Sequence, residues 1–188
     1  VEQPITQFVY GQISSNQIPD FVYKVKQGGA DSLAYTYDVL GRRKSREIST
    51  GYSDVTITSQ YSYITYNTTT TLLRRINNAG KAIRYSYDSN GNITAIYGND
   101  NEFKHTFKYD GLNQLTRHDD VDANRTTLYE YDSGGNILTK TEYTYTPSDV
   151  TPSNPINIID YNYDNHIWTD QLTNYNNEVD EYNTPVRY

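Results

Sequence analysis

The chain has 188 residues, a formal net charge of −7, 21 Tyr, one Trp and no Cys or Met. Its acidity argues against nucleic acid or an anionic membrane as main partner, and no apolar run approaches the roughly 20 residues of a membrane-spanning helix. The lack of Cys excludes disulfides and thiolate metal sites. Leu, Ile, Val and Phe total only 38 residues, close to the level at which disorder is the default. The Tyr content argues for a folded chain, because a disordered one is poor in aromatics and each Tyr buries about 150–250 Å² while keeping a polar tip.

Residues 1–20 carry no clear repeat. Phe21, Val22, Tyr23 and Val25 predict a strand paired with Leu33–Tyr37, across a turn at Gly28–Asp31. A phrase then begins that recurs along the chain: aromatic, polar, Tyr, Asp, turn. Its copies are Tyr35-Thr36-Tyr37-Asp38, Tyr85-Ser86-Tyr87-Asp88, Phe107-Lys108-Tyr109-Asp110, Tyr129-Glu130-Tyr131-Asp132 and Tyr161-Asn162-Tyr163-Asp164. Tyr87, Tyr109 and Tyr131 are 22 residues apart, the mark of one supersecondary unit repeated.

In a strand, residues i and i+2 share a face, so each phrase puts its two aromatics on one face and the polar residue on the other. Asp38 and Gly41, Asp88 and Gly91, and Asp132 and Gly135 occupy positions i and i+3 of a turn. There Asp accepts backbone N–H bonds and Gly adopts positive φ. After Asp110, Asn113 takes the glycine's place. Ile93, Leu115 and Ile137 each follow six residues after their Tyr, which predicts a shared hairpin register. Turn signals at Asn77–Gly80, Gly98–Asn101 and Asp119–Asn124 close the opposite ends, giving a meander without helices. Tyr61-Ser62-Tyr63 precedes Ile64, not Asp, and predicts longer strands with a turn near Asn67. Three Pro within residues 146–155 predict an inserted loop.

The stretches Tyr85–Ile93 and Tyr129–Ile137 read Tyr-x-Tyr-Asp-x-x-Gly-Asn-Ile. They resemble the YD repeats of the RHS family, found in bacterial RHS and wall-associated proteins, toxin-complex shell proteins and animal teneurins. Tyr35–Arg42 matches more loosely, and the resemblance covers roughly residues 21–170. Trp168–Tyr175 is similar to a stretch of RHS proteins from Gram-positive bacteria. The resemblance implies hairpins joined edge to edge in a long sheet that spirals into a hollow shell around a toxic C-terminal domain. In the animal relatives it implies part of an adhesion protein. Three features depart from the pattern. Arg43 stands where an apolar residue is usual, Asp164-Asn165-His166-Ile167 lacks the turn Gly, and no Asp-Pro dipeptide is present, so self-cleavage is not implied.

The expected fold is therefore all-β, an antiparallel β-hairpin repeat array forming a curved, spiralling sheet and a fragment of a YD shell. Residues 1–188 are expected to form one domain cut from a larger protein. The clearest repeats span 21–145 and 156–175. Expected partners are further YD repeats of the parent and a second copy meeting edge to edge; a glycan is a further candidate. Secretion or bacterial cell-surface display is the expected location.

No catalytic residue, metal site or cofactor is expected. The repeat aspartates are fully employed as turn formers. His105, His118 and His166 lack a metal-ligand spacing in the sequence. Asp120, Asp122 and Asn124 resemble the start of a calcium loop, but Arg125 and Tyr131 stand where its Gly and Glu belong, so they predict a solvated acidic loop. Trp168 is the candidate glycan contact, its apolar face suited to a sugar ring. Arg42, Arg43, Lys44 and Arg46 predict ion pairs or a solvated face. Asn67, Asn92 and Asn124 head chance glycosylation sequons.

Overall fold

The computed structural model describes residues 5–11, 17–49, 56–65, 70–99, 101–177 and 186–187. Among them there is no helix. The strands are β1 (Thr6–Tyr10), β2 (Val22–Gln27), β3 (Ala30–Tyr37), β4 (Arg43–Ser49), β5 (Thr56–Tyr63), β6 (Leu73–Asn78), β7 (Lys81–Tyr87) and β8 (Ile93–Tyr97). There follow β9 (Phe103–Tyr109), β10 (Leu115–Asp120), β11 (Arg125–Tyr131), β12 (Ile137–Thr144), β13 (Asn157–Asn162), β14 (Asn174–Asn177) and β15 (Val186–Arg187). Within each of the units described below, the described strands follow one another in chain order, as a meander requires. The chain forms two compact units, residues 1–84 and 85–188.

In the first unit, Lys24 lies opposite Ala34 and Val25 opposite Leu33, the pairing anticipated from the sequence. β1, which belongs to the stretch without a repeat, pairs with β2 through Phe8 and Val25. Gly28 and Gly29 have φ of 60° and 86°, so a two-residue turn with both residues left-handed joins β2 to β3. Such turns match the twist of the strands they connect. The expected turn near Asn67 lies outside the described residues.

In the second unit, β9 to β13 form consecutive antiparallel pairs. β10 runs on through Asp119 and Asp120, which pair with Thr106 and His105. The turn anticipated from Asp119 is thus confined to Val121–Asn124. Strand pairing prevails over turn propensity here because both residues have hydrogen-bonded neighbours on either side.

Few side chains are fully enclosed. Among the described residues the buried apolar ones are Ala82 and Ala95. The buried polar ones are Ser59, Arg117, Asp119, Thr126, Thr127 and Glu142. The repeat tyrosines are half-buried, with their rings against neighbouring strands. Tyr37 stands edge-on to Phe21 and Tyr23, at 5.0 and 5.2 Å between ring centroids. Tyr161 and Tyr175 meet across β13 and β14 at 6.2 Å.

Candidate functional site

The aspartates of the first four phrases build one turn. Oδ1 of Asp88 accepts the N–H groups of Asn90 and Asn92 at 2.9 and 2.8 Å. Asp38 does the same for Leu40 and Arg42, Asp110 for Leu112 and Gln114, and Asp132 for Gly134 and Asn136. The backbone closes beneath: Gly91 N–H donates to the Asp88 carbonyl, and Asp88 N–H donates to that of Asn92. Gly91 sits at φ 88°, Gly135 at 92°, and Asn113 takes the same role at 64°. The second carboxylate oxygen is also used. It accepts from the Asn92 amide at 3.0 Å and from the Asn136 amide at 2.9 Å, while Asp38 pairs with the Arg42 guanidinium at 2.6 Å. The Asn92 and Asn136 side chains lead the backbone N–H groups in holding Asp88 and Asp132 below the usual carboxylate range.

The second tyrosine of the phrase performs a task the sequence did not announce. Its hydroxyl donates to the first carbonyl of the strand just before its own. The bonds run from Tyr37 to Val22, Tyr109 to Ile93, Tyr131 to Leu115 and Tyr163 to Ile137, at 2.7, 3.0, 2.8 and 3.1 Å. Tyr63, outside any complete phrase, does the same to Arg43 at 2.8 Å. The β10–β11 pairing stops at Arg117–Leu128, and the β12–β13 pairing at Thr139–Asp160, each two residues short of the carbonyl concerned. The phenol therefore satisfies a carbonyl that the ladder leaves over. Burial pushes all five hydroxyls above their ordinary pKa, so they stay protonated donors.

The fifth phrase departs from the others. Asp164 donates its N–H to Thr173 Oγ1, and the turn is capped by Asn165, whose Oδ1 accepts from Ile167 and Trp168. This turn presents Trp168 at 63% exposure. The basic cluster is absorbed locally. Arg42 pairs with Asp38 and lies 4.4 Å over the Tyr63 ring; Arg43 lies 5.0 Å over Tyr35; Arg46 donates to Ser59. Beside it is a polar depression of 480 Å³ walled by Lys44, Glu47, Gln60, Tyr61, Arg75 and Asn77. Asn77 Oδ1 is buried there without a hydrogen-bond partner. The loop over 146–155 is fastened by Arg117, which donates to the carbonyls of Thr146, Pro147 and Val150 and pairs with Asp119 at 2.9 Å. Thr126 and Thr106 complete the bonds to Asp119.

The opposite face of β9 and β10 brings together what the sequence kept apart. His105 Nδ1 lies 3.1 Å from His118 Nε2 and 3.7 Å from Asp120 Oδ2. The histidines lack a metal-ligand spacing along the sequence, and it is the strand register that draws two of them together. The register places His105 opposite Asp120, and His118 opposite Phe107, whose ring stacks on it at 4.8 Å and 7°. Burial first, and His105 second, lower the His118 pKa. Of the residues resembling a calcium loop, Asp120 caps Ala123 N–H through Oδ1, while Asp122 pairs with Lys104 at 2.9 Å. His166 stands apart, in the Asp164 turn.

These features define an all-β array of antiparallel hairpins. Among solved structures the chain is similar to those titled TcdB2-TccC3-TEV and TcdB2-TccC3, with TM-scores of 0.67 and 0.68, each at 12% identity over 92% of this chain. It is also similar to TcdB2-TccC3-Cdc42, with a TM-score of 0.60 at 15% identity over 93% of this chain. The chain spans 9% of the first two matched chains and 10% of the third. At such identities the likeness establishes the fold. No protein-family model matches the chain, and no curated protein matches it in sequence. No helix among the described residues is long and apolar enough to cross a membrane.

Proposed function

We propose that the chain is a non-catalytic structural segment of an RHS/YD-repeat shell that encloses or displays a toxin or effector domain, secreted or carried on a bacterial cell surface. One observation carries the reading: the most repeated polar groups are spent on the fold. The aspartates of four phrases are bound into their turns, and four phrase tyrosines bond a neighbouring strand. In a repeat array the residues that recur are those each unit needs to fold and to stack on its neighbour. The likeness to TcdB2-TccC3 supports the same reading. The test is the coding sequence on either side of these residues, expressed with them. Further copies of the phrase are expected, together with a domain that resists protease only while the array is folded. Flanks without the phrase would overturn the proposal.

The natural partner of such an array is more of the same sheet. Among the described strands β1 has one hydrogen-bonded neighbour, β2, and it exposes Phe8 and Tyr10. An unpaired edge recruits another strand, from further repeats or from a second copy. Sedimentation should reveal dimers that dissociate on dilution; a monomer at every concentration counts against this partner. A second reading, glycan recognition, is favoured by Trp168, which is largely exposed at the tip of its turn. Saturable binding of cell-wall polysaccharide, lost in Trp168→Ala, would support it.

A further inference from the structure

The geometry points to a divalent transition-metal site formed by His105, His118 and Asp120 on the β9–β10 hairpin. One nitrogen of each imidazole and one carboxylate oxygen lie within 4.8 Å of one another. A tetrahedral zinc ion with Zn–N bonds of 2.0–2.1 Å separates two ligand nitrogens by about 3.3 Å. The two histidine nitrogens are 3.1 Å apart, and His105 is 3.7 Å from the Asp120 oxygen. The His118–Asp120 separation is bounded by 4.8 Å, so rotation of the Asp120 or His118 side chain by up to about 1.5 Å closes the three atoms around one ion.

The surroundings hold the ligands in place. All three side chains stand on two strands joined by backbone pairing at His105–Asp120 and Phe107–His118. The stacked Phe107 ring fixes the His118 plane. Asp120 spends Oδ1 on Ala123 N–H and leaves Oδ2 facing the histidine. Arg125, opposite Asp120 in the β10–β11 register, does not neutralise it, because its guanidinium pairs with Glu142 at 3.3 Å. Outer bonds of this kind orient metal ligands.

The donor set chooses the class of ion. Two imidazoles and one carboxylate suit Zn²⁺, Cu²⁺, Ni²⁺ or Co²⁺, whereas Ca²⁺ and Mg²⁺ require more oxygen ligands. Three protein ligands leave a fourth position for water. The side chains of His105 and Asp120 are 32% and 26% exposed, so solvent reaches the cluster. The ion would clamp β9 to β10 where the sheet has few enclosed apolar side chains.

The test is calorimetric titration of the 188-residue chain, stripped with chelator, with ZnCl₂ and then CaCl₂. Visible absorption on adding Co²⁺ reports tetrahedral coordination. One Zn²⁺ per chain, a tetrahedral Co²⁺ spectrum and no heat from Ca²⁺ are expected. His105→Gln and His118→Gln should each weaken Zn²⁺ binding roughly tenfold or more, while His166→Gln binds as the parent does. Circular dichroism verifies that each variant is folded. Zn²⁺ binding that survives both cluster variants, or none at all in the folded parent, would overturn the site and leave a hydrogen-bonded histidine pair. Either result leaves the shell proposal standing, since that rests on the repeat residues.

Discussion

Replacing Tyr131 by Phe removes one oxygen and keeps the ring, so it isolates the bond from the phenol to the Leu115 carbonyl. That bond is 2.8 Å long and part-buried. The carbonyl has no ladder partner on the β11 side, because the β10–β11 pairing begins at Arg117 and Leu128. Loss of a neutral hydrogen bond costs about 1 kcal/mol, and stranding the acceptor from water adds a further fraction. The expected destabilisation is therefore about 1–2 kcal/mol, or about 2–4 °C in Tm per kcal/mol for a chain of this size. Urea denaturation gives the number as a shift in midpoint at unchanged slope. Tyr129→Phe is the control. Tyr129 lies on the same strand and face but makes no equivalent bond to the preceding strand, so about 0.5 kcal/mol or less is expected. Equal losses in the two variants would refute the account of the hydroxyl as a ladder cap.

Gly91→Val should cost about 2 kcal/mol in thermal unfolding, because a β-branched residue must adopt φ 88°; an unchanged Tm would refute the turn geometry. Arg117→Met strips the cation from Asp119, which is 1% exposed, and should cost about 3–5 kcal/mol. It should also open residues 146–155 to limited proteolysis, and adding Asp119→Asn should restore part of the loss. Asp88 and Asp132 are held below the ordinary value of 3.8, so their contribution is complete above that value and is lost as pH falls through the lower folded values. Denaturation midpoints should drop below about pH 4 in the parent and less steeply in an Asp88→Asn/Asp132→Asn double variant; parallel curves would count against the turn assignment.

The hairpins are legible in the sequence because their instructions are local. An Asp and a Gly three residues apart suffice for the turn, and alternation of aromatic and polar residues suffices for the strand. Ile93, Leu115 and Ile137 mark the register in the sequence, and they do open the return strands; that their carbonyls receive the next tyrosine requires knowing where each ladder stops. The histidine cluster is illegible for a related reason. His105 and His118 are 13 residues apart, and only the register decides what faces what. The irregularity between Leu115 and Arg117 shifts that register by one residue. Asp120 is hidden further by its resemblance to a turn residue, since paired strand and loop compete for the same acidic sequence. The fastening of residues 146–155 is equally hidden, because Arg117 lies some thirty residues earlier.

The tyrosine bonds have a direction. Tyr37, Tyr63, Tyr109, Tyr131 and Tyr163 each reach back to a carbonyl made earlier in synthesis, never forward. A chain leaving the ribosome can therefore lock each strand as its tyrosine emerges, without waiting for sequence still to come. Growth by addition at the trailing edge lets such an array lengthen by duplication, each new unit bringing the group that fixes it to the last.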